Sequence, residues 1–312
     1  MTGERLGPIG PGTQQEVKDA PQWQRDFLSK PSVSIRKGIA WSYNEPYENT
    51  DTLVLTAPSG RFIDIRLPKK HDLSEPLIDH DAFWAFTGTS NTTFPGTKDV
   101  PMQHVAHSVW EHDLDSKGPG ITDEGDMFSL PNGDCAEVGM MGNPKTGQVE
   151  MYKEYWTSPP YQEGLHALKP CIVAEIIPHE SQGHLAGIII RIGYWIQGIA
   201  GDGTPGKKTV KTIAREIGHT EIKGFDVKPG EAVDGKFIEL AHDDADYKGS
   251  ADQRCGDITK PLNETKKTEE LGAFDPTALP CRWLVDDSRR LGDELVIGKS
   301  PGVKWRVTEY VG

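Results

Sequence analysis

Three histidines, His104, His107 and His112, lie in a stretch of the chain that is also rich in acidic residues. Imidazole and carboxylate groups are common zinc ligands, which makes this stretch a candidate metal site. Side chains alternate between the two faces of a β-strand, so His104 and His112 share one face and His107 lies on the other. One strand cannot direct all three at one ion, and no metal site is predicted. His107 or His112 can act as a general acid–base instead, because histidine titrates near neutral pH, and we assign a catalytic role to His107.

A pair of oppositely charged side chains lies on another candidate strand. Residues 61–67 alternate, with Phe62, Asp64 and Arg66 on one face and aliphatic side chains on the other. If this face points into a barrel, Asp64 and Arg66 can orient a polar group of a ligand. If the strand is half exposed, the same pair faces solvent. We take Asp64 and Arg66 as candidate ligand-binding residues.

Aromatic side chains also recur at strand spacing. Trp84 and Phe86 share one face, and Trp110 shares a face with His112. Aromatic residues in small barrels fill the core or one end, or they line a pocket. Trp84, Phe86 and Trp110 are therefore candidate ligand contacts.

The most apolar segment, residues 188–197, is interpreted as one strand. On that interpretation Arg191, Trp195 and Gln197 share a face, and Gly193 leaves space beside them. Apolar walls with a few placed polar groups are typical of a small-molecule pocket. We therefore expect Arg191, Trp195 and Gln197 to bind a ligand, and we assign a catalytic role to Arg191. The alternative is that Arg191 points to solvent and the aliphatic face forms the core.

The charge balance restricts the partners. The 312 residues include 34 Lys and Arg against 47 Asp and Glu, which gives a formal net charge of −13. Binding to nucleic acid or to an anionic membrane is disfavoured, because both depend on a basic surface. The acidic groups at positions 113–115 and 123–126 are expected to be solvated loop charges.

Targeting and cofactor signals are missing from the sequence. The first residues carry no apolar run of the signal-peptide type, and no stretch of about 18 apolar residues occurs. The cysteines form no C-x-x-C pair. We expect a cytoplasmic protein without a membrane segment. No phosphate-binding loop or nucleophile elbow is present, so no cofactor is predicted.

Short strands separated by turns run through most of the chain. The clearest hairpin joins residues 52–57 to 61–67 through Pro58-Ser59-Gly60. Helical periodicity is scarce, which favours an all-β protein. We divide the chain into an N-terminal arm (1–31), a first barrel (32–158) and a second barrel (159–312), with a surface insertion at about 243–280.

Several segments resemble a fungal family, the HRI-type proteins, named for their interaction with a casein-kinase-1 homologue. The matching segments are 51–56 (DTLVLT) with 62–66 (FIDIR), 84–89 (WAFTGT), 107–112 (HSVWEH), 123–127 (DEGDM), 137–139 (EVG) with 143–144 (NP), 152–156 (YKEYW), 193–198 (GYWIQG) and 305–310 (WRVTEY). The resemblance covers roughly residues 32–312. It implies two lipocalin-like (calycin-type) antiparallel β-barrels in tandem, and it implies no catalytic residues.

Three functions are compatible with these observations. The first is a cytosolic barrel protein that binds a small, largely apolar molecule. The second is a cofactor-independent cyclase or isomerase of the pericyclase type, acting in fungal secondary metabolism by positioning and hydrogen bonding in the same pocket. The third, implied by the resemblance, is an adaptor that contacts a casein-kinase-type partner through its acidic surface and the insertion.

Overall fold

The computed structural model describes residues 30–70, 74–94, 105–158, 169–178, 184–193, 195–217, 256–257, 279–297 and 302–312. The N-terminal arm lies outside these ranges, except for residues 30–31. The insertion at 243–280 also lies outside them, except for residues 256–257 and 279–280.

The first half of the chain forms a closed antiparallel barrel of eight strands. Each strand pairs with the next along the chain, and β1 also pairs with β8, which closes the barrel. The predicted hairpin is confirmed as β2 and β3. The strands are β1 (Ser32–Trp41), β2 (Thr50–Thr56), β3 (Arg61–Pro68), β4 (Trp84–Thr93), β5 (Val105–Asp115), β6 (Thr122–Ser129), β7 (Cys135–Gly142) and β8 (Val149–Thr157).

The second half contributes further strands and one short helix. Where it is described, its strands form an open sheet in the order β14-β15-β9-β10-β11-β12-β13, joined to the barrel by one parallel pairing between β12 and β5. The fold is therefore all-β, with one closed barrel and additional strands. The elements are β9 (Cys171–Ile176), β10 (Leu185–Ile192), β11 (Trp195–Asp202), β12 (Thr209–Ile217), β13 (Gly256–Asp257), α1 (Cys281–Val285), β14 (Glu294–Ile297) and β15 (Val303–Val311).

The largest apolar core lies between the two halves. The outward side chains of β3, including Ile63 and Ile65, pack with Val173 of β9 and Ile190 of β10. Because alternation sends one face of β3 into this core, the other face, with Phe62, points into the barrel. The interior of the barrel is thus separate from the main apolar core.

No helix in the described parts of the chain has the length and apolar character needed to span a bilayer.

Candidate functional site

The interior of the first barrel contains a buried network of charged side chains. Arg66 on β3 donates through Nε and Nη2 to Asp64 Oδ2, at 3.0 and 2.8 Å. Its Nη1 lies 3.5 Å from Glu154 Oε1 on β8. Strands β1 and β2 separate β3 from β8, so this contact crosses the barrel interior. Arg36 on β1 donates through Nη1 to the same oxygen, Glu154 Oε1. The Nε of Arg36 donates to Glu48 Oε2 at 2.8 Å.

Pairing compensates for much of the energy of burying these charges. Burial alone would lower the pKa of the Arg66 guanidinium, but Asp64 and Glu154 outweigh it and raise that pKa. For Asp64, burial raises the pKa of the carboxyl group even though Arg66 opposes the shift. The guanidinium groups therefore stay charged, and Asp64 holds a proton more readily than an exposed aspartate does.

A second acidic group lies in the interior on the neighbouring strands. Tyr152 donates its hydroxyl to Glu137 Oε1 at 2.7 Å, and Trp156 donates Nε1 to Oε2 at 2.9 Å. Burial, together with Glu154 and Asp123, raises the pKa of Glu137 well above its usual range. Burial is also the main reason that the pKa of Asp123 rises to about 6.

Glycines provide the space that this second group occupies. A Cβ atom at Gly139 would lie 2.5 Å from the Tyr152 hydroxyl, and one at Gly125 would lie 2.9 Å from Glu137 Cγ. Any larger residue at these positions would displace the tyrosine or the glutamate. The two glycines on β7 and β6 therefore allow Tyr152 and Glu137 to fit inside the barrel.

His112 and Asp115 form a buried pair at the end of β5. His112 Nδ1 lies 2.6 Å from Asp115 Oδ2, and their side chains are 2% and 1% exposed. Asp115 Oδ1 accepts hydrogen bonds from Trp84 Nε1 at 2.9 Å and from the backbone N–H of Lys117 at 2.7 Å. These bonds fix the carboxylate, which in turn fixes the imidazole ring.

A bulge explains why two residues three apart point to the same side. Strict alternation would place His112 and Asp115 on opposite faces of β5. The pairing with β4 shifts between Thr87 and Gly88, which leaves Asp113 as the extra residue. A Cβ at Gly88 would lie only 1.7 Å from the Glu111 carbonyl oxygen, so this approach of the two strands requires glycine.

Aromatic rings surround this pair. The His112 ring stacks on Phe86 with centroids 4.2 Å apart, and it meets Phe62 and Trp84 edge-on at 6.2 Å each. The Arg66 guanidinium lies 4.7 Å from the Trp84 ring centroid and 5.3 Å from that of Phe86. The predicted residues Asp64, Arg66, Trp84 and Phe86 are thus brought together. The half-buried ring of Trp110, also predicted, packs against the same aromatic cluster.

Two buried polar atoms in this region have no hydrogen-bond partner among the described residues. Within the described part of the chain, Asp64 Oδ1 and His112 Nε2 are completely buried and make no hydrogen bond. Both groups adjoin Phe86, since Asp64 is its partner across the β3–β4 pairing and His112 stacks on its ring. Such atoms are uncommon in native proteins, and a water molecule, an ion or a ligand can supply the missing partner. Three further atoms of the described residues share this property, namely Arg61 Nε, Thr212 Oγ1 and Trp305 Nε1.

His107 lies apart from this region. Its side chain is 37% exposed, and Nδ1 is 3.0 Å from Asp126 Oδ1 on the neighbouring strand. The sequence places it on the face of β5 opposite to His112, and the structure agrees. His107 therefore does not join the groups inside the barrel.

The interpretation of residues 188–197 as one strand is wrong. Residues up to Ile192 belong to β10, and β11 begins at Trp195, with Ile192 and Trp195 paired across a turn. Gly193 in this turn has φ of +56°, a conformation that favours glycine. Because the chain reverses there, Arg191 lies on the opposite face of the sheet from Trp195 and Gln197.

Arg191 has a structural environment. It is buried and donates through Nη1 to the carbonyl oxygens of Leu284 and Val285, at 2.6 and 2.8 Å. Its Nη2 contacts Asp287 Oδ1 at 2.6 Å. These bonds satisfy carbonyl groups at the C-terminal end of helix α1, where a cation is also favoured.

Trp195 and Gln197 lie in the contact between the two halves. Trp195 packs in the core that β3 shares with β9 and β10. Gln197 Nε2 donates to the carbonyl oxygens of Leu53 and Ile63, at 2.9 and 3.1 Å, and its Oε1 accepts from Arg215 Nε at 2.9 Å. The three residues predicted from this segment are thus separate from the interior of the first barrel.

Other interior residues were missed by the sequence analysis. Asp115 and Asp123 were expected to be solvated, but both are buried, whereas their neighbours Asp113 and Glu124 are exposed. Glu154 was not singled out, although β8 alternates between buried and exposed residues from Tyr152 onward. The two-residue spacing of Glu154 from the aromatic residues Tyr152 and Trp156 is the sequence signal that could have placed it on the same face.

The comparisons with known proteins concern the family and the fold. The sequence profile of the family described as Protein HRI1 matches residues 32–309. No curated protein sequence is significantly similar to the chain. Among solved structures, the chain resembles the crystal structure of an uncharacterized Saccharomyces cerevisiae protein, YLR301w, with 18% identity and a TM-score of 0.54. The match covers 90% of this chain and 99% of the yeast chain, and at that identity it shows the fold alone. Because the family profile spans most of the sequence, the chain belongs to the HRI1 protein family.

Proposed function

We propose that the first barrel binds a small molecule in its interior, beside Asp64 and His112. The observation that supports this function is the pair of buried atoms, Asp64 Oδ1 and His112 Nε2, that have no partner among the described residues. A buried polar group without a hydrogen bond costs about 1–3 kcal/mol. A ligand that bonds to both atoms removes this cost, which gives it a direct source of affinity.

The surroundings indicate the character of the ligand. The rings of Phe62, Trp84 and Phe86 form one cluster beside the two atoms and favour an apolar or aromatic body. His112 Nδ1 faces the Asp115 carboxylate, so Nδ1 carries the proton and Nε2 is an acceptor. The ligand is therefore a largely apolar molecule that presents either a hydrogen-bond donor or an acidic C–H group to Nε2.

Native mass spectrometry on protein purified from its own source tests this function. We expect a stoichiometric small molecule that is released on denaturation. The His112→Gln protein should hold it at least about tenfold more weakly, which corresponds to about 1.4 kcal/mol for one lost hydrogen bond.

Glu111→Gln is the matched control, because Glu111 precedes His112 on β5 but is exposed. This protein should retain the molecule as the wild type does. Protein without any bound molecule, or equal retention by all variants, would contradict the proposed function.

We also propose that the second half forms the second barrel that the family resemblance implies, and that the protein is cytoplasmic. Residues 218–278 connect β12 to α1 in the chain, and the structure describes only 256–257 of them. A crystal structure that resolves this segment tests it: an additional strand pairing with β14 would support closure, and an unpaired β14 would oppose it.

A further inference from the structure

We propose that His112 is a catalytic base that exchanges a proton with the bound molecule, and that Asp115 is its positioning residue. The substrate class is a carbonyl compound with an acidic C–H bond next to the carbonyl group, and the reaction is a cofactor-independent isomerisation. This inference rests on the proposed function, because the substrate occupies the ligand position beside Asp64 and His112.

The hydrogen bonds of the His112–Asp115 pair direct the lone pair of Nε2. Asp115 Oδ2 accepts from Nδ1 at 2.6 Å, which sets the tautomer with the proton on Nδ1. Asp115 Oδ1 is fixed by Trp84 and by the backbone of Lys117. The carboxylate also stabilises the imidazolium that forms when Nε2 takes up a proton.

The base faces no nucleophile among the residues that the structure describes. No hydroxyl or thiol of the described residues hydrogen-bonds to His112 Nε2. In covalent catalysis the base lies within hydrogen-bond reach of the nucleophile that it activates. Nε2 is therefore available to the bound molecule itself.

The surroundings favour a carbon acid as the proton donor. The stacked ring of Phe86 and the edges of Phe62 and Trp84 surround the imidazole with apolar surface. Apolar walls of this kind exclude water from the base, and they accommodate the hydrocarbon part of a ketone. Water then competes little with the C–H group of the substrate for His112 Nε2.

The proposed step balances without an oxidant or a reductant. His112 Nε2 takes the proton from the carbon beside the carbonyl group, the C–H electron pair forms the C=C bond of an enolate, and the carbonyl π electrons move to oxygen. In a β,γ-unsaturated ketone the imidazolium then returns the proton to the γ-carbon, where the electron pair of the β,γ C=C bond takes it up. The enolate C=C electrons shift to form the α,β C=C bond, and the oxygen electrons re-form the C=O bond. Asp64 Oδ1 is the second polar atom near the substrate and, when protonated, donates a hydrogen bond to the enolate oxygen. Burial favours this acid form because it raises the pKa of Asp64.

The tautomer of His112 provides a test that needs no ligand. In a long-range ¹⁵N–¹H spectrum of histidine-labelled protein, we expect His112 with the proton on Nδ1 and none on Nε2 at neutral pH. In Asp115→Asn the side-chain amide donates to Nδ1, so the proton should move to Nε2. A wild-type His112 with its proton on Nε2 would overturn the proposal.

Proton transfer is tested with three enolisable ketones of graded size: cyclohex-3-enone, 1-indanone and 2-tetralone. Each ketone is incubated with protein in D₂O, and deuterium uptake is followed by NMR while tryptophan quenching reports binding. We expect the wild type to accelerate uptake into at least one ketone. His112→Gln should lose this acceleration by at least about 100-fold, and Asp115→Asn should lose it while still binding the ketone. Glu111→Gln should behave as the wild type.

The outcomes separate the two proposals. Ketones that bind without exchange above the His112→Gln level would overturn the proton transfer and leave the proposed binding intact. If no ketone binds or exchanges, this substrate class is rejected, and the proposed function is then judged by the molecule that native mass spectrometry detects. Asp115→Asn keeps the buried imidazole, so the test stands even if His112→Gln fails to fold.

Discussion

Replacing Asp123 by Asn should remove part of the dependence of stability on pH. Burial, with a contribution from Glu154, raises the pKa of Asp123 from 3.8 to about 6 in the folded barrel. The folded state therefore binds a proton more tightly than the unfolded chain does. The free energy of unfolding must fall as the pH rises from about 4 to about 6, because the carboxylate becomes charged inside the barrel.

The size of this effect follows from the pKa difference. A shift from 3.8 to about 6 corresponds to about 3 kcal/mol at 1.36 kcal/mol per pKa unit. Asn has nearly the same shape and keeps an oxygen at the position of Asp123 Oδ1, 3.4 Å from the Tyr152 hydroxyl oxygen. At pH 8 the Asp123→Asn protein should therefore be up to about 3 kcal/mol more stable than the wild type, and the two should have nearly equal stability below pH 4.

Urea denaturation at intervals from pH 4 to pH 8 measures this difference. Glu124→Gln is the control, because Glu124 is the next residue on β6 and its side chain is 64% exposed. The stability of the control relative to the wild type should change little with pH. A difference between Asp123→Asn and the wild type that is flat from pH 4 to pH 8, or that has the opposite sign, would refute the reasoning about the interior charges.

Three further substitutions address other parts of the structure, each measured by urea denaturation. Gly139→Ala should lower the free energy of unfolding by about 1–3 kcal/mol, because its Cβ would lie 2.5 Å from the Tyr152 hydroxyl. Gly142→Ala is the control and should have little effect, because the space around Gly142 is open. Arg191→Leu should lower the free energy of unfolding by about 2–4 kcal/mol, because it loses the hydrogen bonds to the end of helix α1, and it should leave ligand binding unchanged. A loss of ligand binding without a loss of stability would contradict this structural role of Arg191. Gln197→Leu should lower the free energy of unfolding by a similar amount, because it removes hydrogen bonds across the contact between the two halves. Unchanged stability would show that these bonds do not hold the halves together.

Local patterns were enough to locate one wall of the candidate site. The alternation in residues 61–67 correctly grouped Phe62, Asp64 and Arg66, and the spacing of Trp84 and Phe86 placed both on one face. These inferences need only the two-residue period of a strand and the turn that precedes it. They did not decide whether the face points inward, because that depends on closure of the barrel.

The remaining features depend on long-range pairing or on local irregularities. Glu154 meets Arg66 only because β8 closes on β1, and no short segment of sequence encodes that contact. Alternation predicts opposite faces for His112 and Asp115, and only the bulge beside Gly88 brings them together. The turn at Gly193 was overlooked because apolar residues flank it on both sides.

A crystal structure of protein purified from its own source would test the central claim most directly. We predict electron density for a non-protein molecule in the first barrel, in direct contact with Asp64 Oδ1 and His112 Nε2. An interior in which protein side chains or ordered water satisfy both atoms, without any bound molecule, would contradict the proposed function.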